Sequence, residues 1–212
     1  MSQNKGKMVQ ILSDFVTYFN TKNIPYVLVG GLAVNFWGRV RSTMGADFII
    51  DDKKLNSNDF VNYLNTKGYE ITIDDIKRGF HEKSNVTIWS DIFRIDFKGI
   101  YNNFAKKSID SAKTLNVLNM LIRVDSPEFL IISKIIYGSE QDFEDAASIY
   151  LRLSQKKLLD LKEINNLSSK LDISDRLDLL LVLTAEEISE EKLEQIIENL
   201  KPFDFTKLDD FQ

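Results

Sequence analysis

Apolar positions recur at helical spacing over Met8, Ile11, Leu12, Phe15 and Phe19, which predicts an amphipathic helix ending near Asn23. Pro25 then opens a short apolar run, Tyr26 to Val29, that reads as a buried strand. Gly30-Gly31 follows, and Leu32 to Trp37 predict a short helix ending at Gly38. Asp47 to Asp51 reads as a second strand, and Asn56 to Thr66 as a helix stopped by Gly68. Tyr69 to Ile73, Asn85 to Trp89 and Ile92 to Lys98 are rich in β-branched and aromatic residues and predict further strands, with Val117 to Val124 one more. This order of helices and strands predicts a mixed α/β sheet.

After Asp125 the period changes. Ser126-Pro127-Glu128 carries the chemistry of a helix start: a capping hydroxyl, a proline in the first turn and a carboxylate at the positive end of the helix dipole. From there to about Leu200 the spacing is helical, with breaks near Gly138, Ser154, Asp172 and Ser189. The polar tail from Pro202, with Phe203, Phe205 and Phe211 interspersed, either packs or frays. Two domains are expected, residues 1–124 and 125–212.

Composition narrows the chemistry. The 212 residues suffice for a well-buried core, and 43% are hydrophobic. The most apolar stretch, Phe129 to Tyr137, is too short to span a bilayer and is interrupted by Lys134, so no membrane role is expected. There is no cysteine, which excludes disulfides and thiolate metal sites. With no signal-peptide core near Met1, a cytoplasmic location is expected. A single histidine argues against a histidine zinc site or a Ser-His-Asp triad. A metal here would be held by carboxylates, which suits a hard cation such as magnesium.

The net charge of −5 hides an asymmetry. Residues 1–124 carry 17 basic and 12 acidic side chains, a balance of +5, and residues 125–212 carry 10 and 20, a balance of −10. The first part would attract a polyanion or a nucleotide, or simply dock on the acidic part.

The residues suited to chemistry are Gly30-Gly31, Arg41-Ser42-Thr43, Asp47 and Asp96. Glycines between a strand and a helix let backbone N–H groups approach a triphosphate, although a glycine pair alone also makes an ordinary tight turn. A carboxylate at position 45 would share a strand face with Asp47. In Phe93 to Phe97 the odd positions are apolar, so Arg94, Asp96 and Lys98 share the other face. If the two strands are neighbours, Asp47 and Asp96 converge, as divalent-metal phosphoryl and nucleotidyl transfer requires. Lys134 interrupts an apolar helix face, either as a snorkelling lysine or as a functional one.

Together, Val29-Gly30-Gly31-Leu32-Ala33-Val34, Gly38, Arg41-Ser42-Thr43, Asp47-Phe48 and the later Asp96 resemble the signature of the nucleotidyltransferases of the DNA polymerase β superfamily, in particular the minimal and AbiEii-like ones. Ser126 to Ile131, Lys134, Asp142 and Asp145 resemble the helical segment that follows it. The likeness covers roughly residues 26–150. It implies a polymerase-β-like mixed sheet followed by a helical C-terminal domain, and transfer of a nucleoside monophosphate from an NTP to an acceptor hydroxyl with magnesium. By the same resemblance Gly30 and Gly31 would cradle the triphosphate, with Arg41 and Thr43 near it. Asp47 would bind metal. Asp96 would bind metal or act as the base. Lys134 would contact phosphate, oriented by Asp142 or Asp145. The acceptor is open between tRNA, another RNA, a protein side chain and a small molecule such as an aminoglycoside, with the basic first part favouring RNA. Relatives of this kind are often toxins, which implies a cognate antitoxin as partner.

One position departs from the pattern. Where it has the first aspartate of an Asp-x-Asp pair, this chain has Gly45. Three readings follow: a nucleotide-binding or partner-binding protein without catalysis, an inactivated variant of an active enzyme, or replacement of the missing ligand by Asp51 or Glu82.

Overall fold

The structure is a computed structural model and describes residues 2–185, 187 and 190–211. The expected break near Ser189 lies outside the described residues. The chain divides into two compact units: Met1–Leu32 with Ser42–Asp125, and Ala33–Arg41 with Ser126–Gln212. No helix among the described residues is long and apolar enough to cross a membrane.

The first unit is a six-stranded mixed sheet with helices. Helix α1 (Ser2–Thr21) leads to β1 (Tyr26–Val29), where α2 (Gly30–Trp37) begins. Then come β2 (Gly45–Ile50), α3 (Ser57–Thr66), α4 (Ile73–His81), β3 (Val86–Ser90), β4 (Phe93–Lys98), α5 (Asn103–Ser111), β5 (Lys113–Val117) and β6 (Met120–Val124). The strand order is β3-β4-β2-β1-β6-β5. Strand β2 runs parallel to β4 and antiparallel to β1, and β1 is parallel to β6.

Strand alternation divides this sheet chemically. Tyr26, Phe48 and Phe97 face α1 and α3, where they join Phe15, Phe19 and Phe60 in a fully buried aromatic cluster. Phe15 stacks on Phe48 at 6.0 Å, and Phe60 meets Phe97 edge-on at 5.4 Å. On the other face Val27 and Ile49 pack against Ala105 and Ile109 of α5. Asp47 is two residues from Ile49 and shares that face.

Three expectations need correction. Tyr69 to Ile73 is not a strand. Thr72 caps α4 in a capping box: its hydroxyl accepts from the Asp75 N–H at 3.2 Å, and its own N–H donates to the Asp75 carboxylate at 3.1 Å. That local pairing outweighs the β-rich composition before it, and Tyr69 and Ile71 are buried from extended chain instead. Val117 to Val124 is not one strand either. Leu118 and Asn119 have φ of 49° and 64°, which turns the chain into a β5–β6 hairpin. Strand β2 starts at Gly45 rather than Asp47.

The second unit is helical. Helix α6 (Pro127–Tyr137) is apolar on nearly every side and is buried accordingly, packed by α7 (Glu140–Ser154), α8 (Leu161–Leu171) and α9 (Ser174–Leu183). The last α-helix among the described residues is α10 (Glu190–Asn199), and a 3-10 turn follows at Phe205–Leu208. Ser126 caps α6 by accepting the Phe129 N–H, and Gly138 ends it at φ +68°. Asp172 ends α8 in the same left-handed conformation. The tail packs: Phe211 is buried, edge-on to Phe129 at 6.3 Å.

Candidate active site

Asp47 and Asp96 are direct register partners on the parallel pair β2–β4, so their side chains leave the same face of the sheet. Val29, the last residue of β1, is the partner of Asp47 on its other side. The next residue, Gly30, turns the chain from β1 into α2 at φ +68°. It lies directly under the Asp47 carboxylate, and a β-carbon there would overlap Oδ2 and stand 2.9 Å from Cγ. Glycine is therefore required at position 30 both by the backbone and by this close approach. Gly31 is the second residue of α2, whose N-terminal N–H groups are suited to an anion. The Thr43 hydroxyl accepts the Gly45 N–H at 3.3 Å, which holds the entry to β2.

Asp96 is buried and its oxygens are engaged. Thr87 donates to Oδ1 at 2.5 Å. The Arg94 guanidinium spans both oxygens, with Nε 3.1 Å from Oδ1 and Nη2 2.8 Å from Oδ2. Arg94 is also the register partner of Gly45. Its alternation with Asp96 is visible in the sequence, but that alternation does not tell a pairing across the strand face from two side chains in solvent. Trp89, beside Arg94 on edge strand β3, is 61% exposed and does not pack in a core.

The other candidates form a cluster in the helical unit. Arg41 donates from Nε and Nη2 to the two oxygens of Asp145, both at 2.8 Å. Lys134 Nζ lies 2.7 Å from Asp142 Oδ1 and 3.0 Å from Asp145 Oδ2. The Asp145 side chain has no exposure at all. Burial pushes its carboxyl up, but hydrogen bonds from Arg41 and Lys134 outweigh that and hold it below the usual range. The same bond to Asp145 raises the Arg41 guanidinium. Asn35 clamps the Arg41 backbone, accepting its N–H at 2.9 Å and donating to its carbonyl at 3.1 Å. Arg152 donates to the Gly38 carbonyl at 2.6 Å. The bonds from Arg41 to Asp145 and from Arg152 to Gly38 tie Ala33–Arg41 to the helices with which it groups.

Magnesium, which the resemblance implies, can be tested against the donors present. Among the described residues no group of three or more acidic or histidine side chains could hold a metal ion. Asp47 and Asp96 are paired across β2 and β4, and Asp96 is already forked by Arg94. Asp51 does not stand in for the missing ligand: it follows the far end of β2, roughly 13 Å along the strand from Asp47. Glu82 is exposed at the end of α4. The residues as they stand do not fit a pair of divalent cations.

No protein-family model matches the chain, and no curated protein matches it. Solved structures do. The solution structure of the antibiotic-resistance factor ANT(2'')-Ia aligns with a TM-score of 0.54 at 11% identity, covering 83% of this chain and 96% of that one. The crystal structure of ANT(2'')-Ia in complex with adenylyl-2''-tobramycin gives the same score and identity over 77% of this chain and 98% of that one. The chain has a nucleotidyltransferase fold. An antigenic nucleotidyltransferase-like protein from Paracoccidioides brasiliensis also aligns, at 17% identity over 86% of this chain and 94% of that one, with a TM-score of 0.48.

Proposed function

We propose that this protein binds a nucleoside triphosphate with its phosphates at the Gly30–Gly31 turn, and transfers the nucleoside monophosphate to an acceptor hydroxyl slowly, because Gly45 stands where a carboxylate is expected. The single observation that carries this is the register of Asp47 with Asp96 above Gly30. In the reaction the acceptor oxygen bonds to the α-phosphorus as the bond to the bridging oxygen breaks and pyrophosphate leaves. Gly30, Gly31 and the start of α2 orient the phosphates. Thr43 fixes the strand entry beside them. Lys134, held by Asp142 and Asp145, and Arg41, held by Asp145, are the proposed cationic residues of the helical unit. The magnesium ions of the resemblance do not fit the donors present. RNA is the acceptor class favoured, on the +5 balance of residues 1–124.

The test is ligand-dependent thermal stabilisation with each of the four NTPs, with and without magnesium. A ligand at 100 times its Kd adds about 2.7 kcal/mol to stability and raises Tm measurably. Incubation of α-labelled NTP with total RNA then reads transfer. No shift with any NTP at millimolar concentration sinks the nucleotide site. A shift without label transfer to any acceptor supports a second reading, a nucleotide-binding or partner-binding protein without turnover, which Gly45 and the Arg94–Asp96 pair favour.

A further inference from the structure

Nothing in the backbone calls for glycine at position 45. Gly45 is not in a left-handed conformation, and a β-carbon there would stand 3.8 Å from Asp47 Oδ2 and 3.9 Å from the Arg94 carbonyl, ordinary contact distances. A side chain fits, and it would lie beside the Asp47 carboxylate. What sits across from it is Arg94, in register on β4.

That register sets the charges around Asp96. Asp47 and Asp96 bring two negative charges within one strand spacing. Arg94 returns one positive charge, forked onto both oxygens of Asp96. Thr87 adds a donor to Oδ1. A divalent ion bridging Asp47 and Asp96 needs lone pairs on Asp96 that already accept from Arg94 and Thr87, and it needs about six oxygens in octahedral array. A guanidinium satisfies the same carboxylate with a fixed planar fork and needs no further ligand.

We propose that Gly45 and Arg94 form a matched pair, in which the Arg94 guanidinium replaces a divalent cation as the counter-charge of Asp96. The consequence is non-additive. Restoring a carboxylate by Gly45→Asp gives Arg94 a second partner directly across the strands, so the new carboxylate is captured as an ion pair and does not complete a metal site. A metal site appears only when Arg94 is removed as well, which leaves three carboxylates on one face. Only the place of these residues depends on the nucleotide site proposed above, and the metal alone is the probe, so loss of that reading and loss of this one are told apart.

The experiment titrates Mn2+ into the full chain, with free Mn2+ read by electron paramagnetic resonance, for the unaltered protein, Gly45→Asp, Arg94→Gln and the double variant. The double variant should bind Mn2+ at least about tenfold more tightly than either single variant, and the unaltered protein most weakly. Near-half exposure of the Arg94 side chain makes its replacement tolerable, and Arg94→Thr, a residue suited to strands, serves in the same design if Gln disturbs folding. The proposal is overturned if Gly45→Asp alone binds Mn2+ within about twofold of the double variant. It is equally overturned if the unaltered protein binds as tightly as the double variant, or if the double variant is no tighter than the two singles.

Discussion

The Asp47 carboxylate rests on the α-carbon of Gly30, so closely that the site turn and the site acid cannot both keep their places once position 30 carries a side chain. Gly30→Ala should therefore destabilise the protein by about 1–3 kcal/mol, from a positive φ and a forced shift of Asp47. Gly45→Ala, two strand residues from the same carboxylate, meets only ordinary contacts and should change stability by less than about 1 kcal/mol, in the stabilising direction. Urea midpoints for the two variants check the contrast, and equal losses would refute the close approach.

Asp145 is the most demanding charge in the helical unit, because it is buried and accepts from both Arg41 and Lys134. Asp145→Ala leaves two cations without their shared partner and should cost about 3–5 kcal/mol. The acid dependence has a definite sign. Its folded-state pKa lies below the ordinary value of 3.8, so its contribution is fully present above pH 3.8 and is lost as pH falls from there through the folded value. Urea unfolding from pH 7 down to pH 3 should show a loss that is shallower in Asp145→Asn. Parallel curves for the two proteins would remove Asp145 from that role.

Much of the site face was legible in sequence, and the reason is strand alternation. Asp47 two residues before Ile49, and Asp96 between Ile95 and Phe97, leave one orientation once the apolar neighbours are buried. The Ser126-Pro127 start of α6 was equally plain, being written in adjacent residues. Non-local pairings were not. Arg41 and Asp145 are 104 residues apart, and nothing in either segment names the other. The β5–β6 hairpin was hidden because Leu118-Asn119 lacks the glycine that usually announces such a turn. Helix α4 was hidden because its cap is two side chains while the residues before it favour strands.

That cap gives a third prediction. Thr72→Ala removes the hydroxyl that accepts the Asp75 N–H and also donates to its carboxylate at 2.6 Å. It should destabilise by about 1 kcal/mol. Hydrogen exchange should locate the loss, with faster exchange at the start of α4 and unchanged protection in β4. Uniform change across the sheet would mean that α4 is held by packing alone.

The charge balance of the site face yields a fourth. The Asp47 carboxylate stands against the Gly30 turn, so it repels a metal-free triphosphate placed there as proposed. Asp47→Asn should then strengthen binding of metal-free ATP by about fivefold, the effect of one unit charge near 4 Å in a water-like dielectric. Calorimetric titration in EDTA measures it, and weaker binding in that medium would show that Asp47 assists the nucleotide directly.

The Ala33–Arg41 segment carries a consequence for how this chain could be recombined. It belongs to the helical unit but is written between two stretches of the sheet unit. A crossover at Asp125 would thus graft the helices without their own Arg41, and the recipient would inherit Asp145 and Lys134 as an incomplete buried set. The two units can be exchanged between homologues only as a coordinated double cut, so neither is a freely transplantable cassette, and substitutions at residues 33–41 and at the start of α7 should be inherited together.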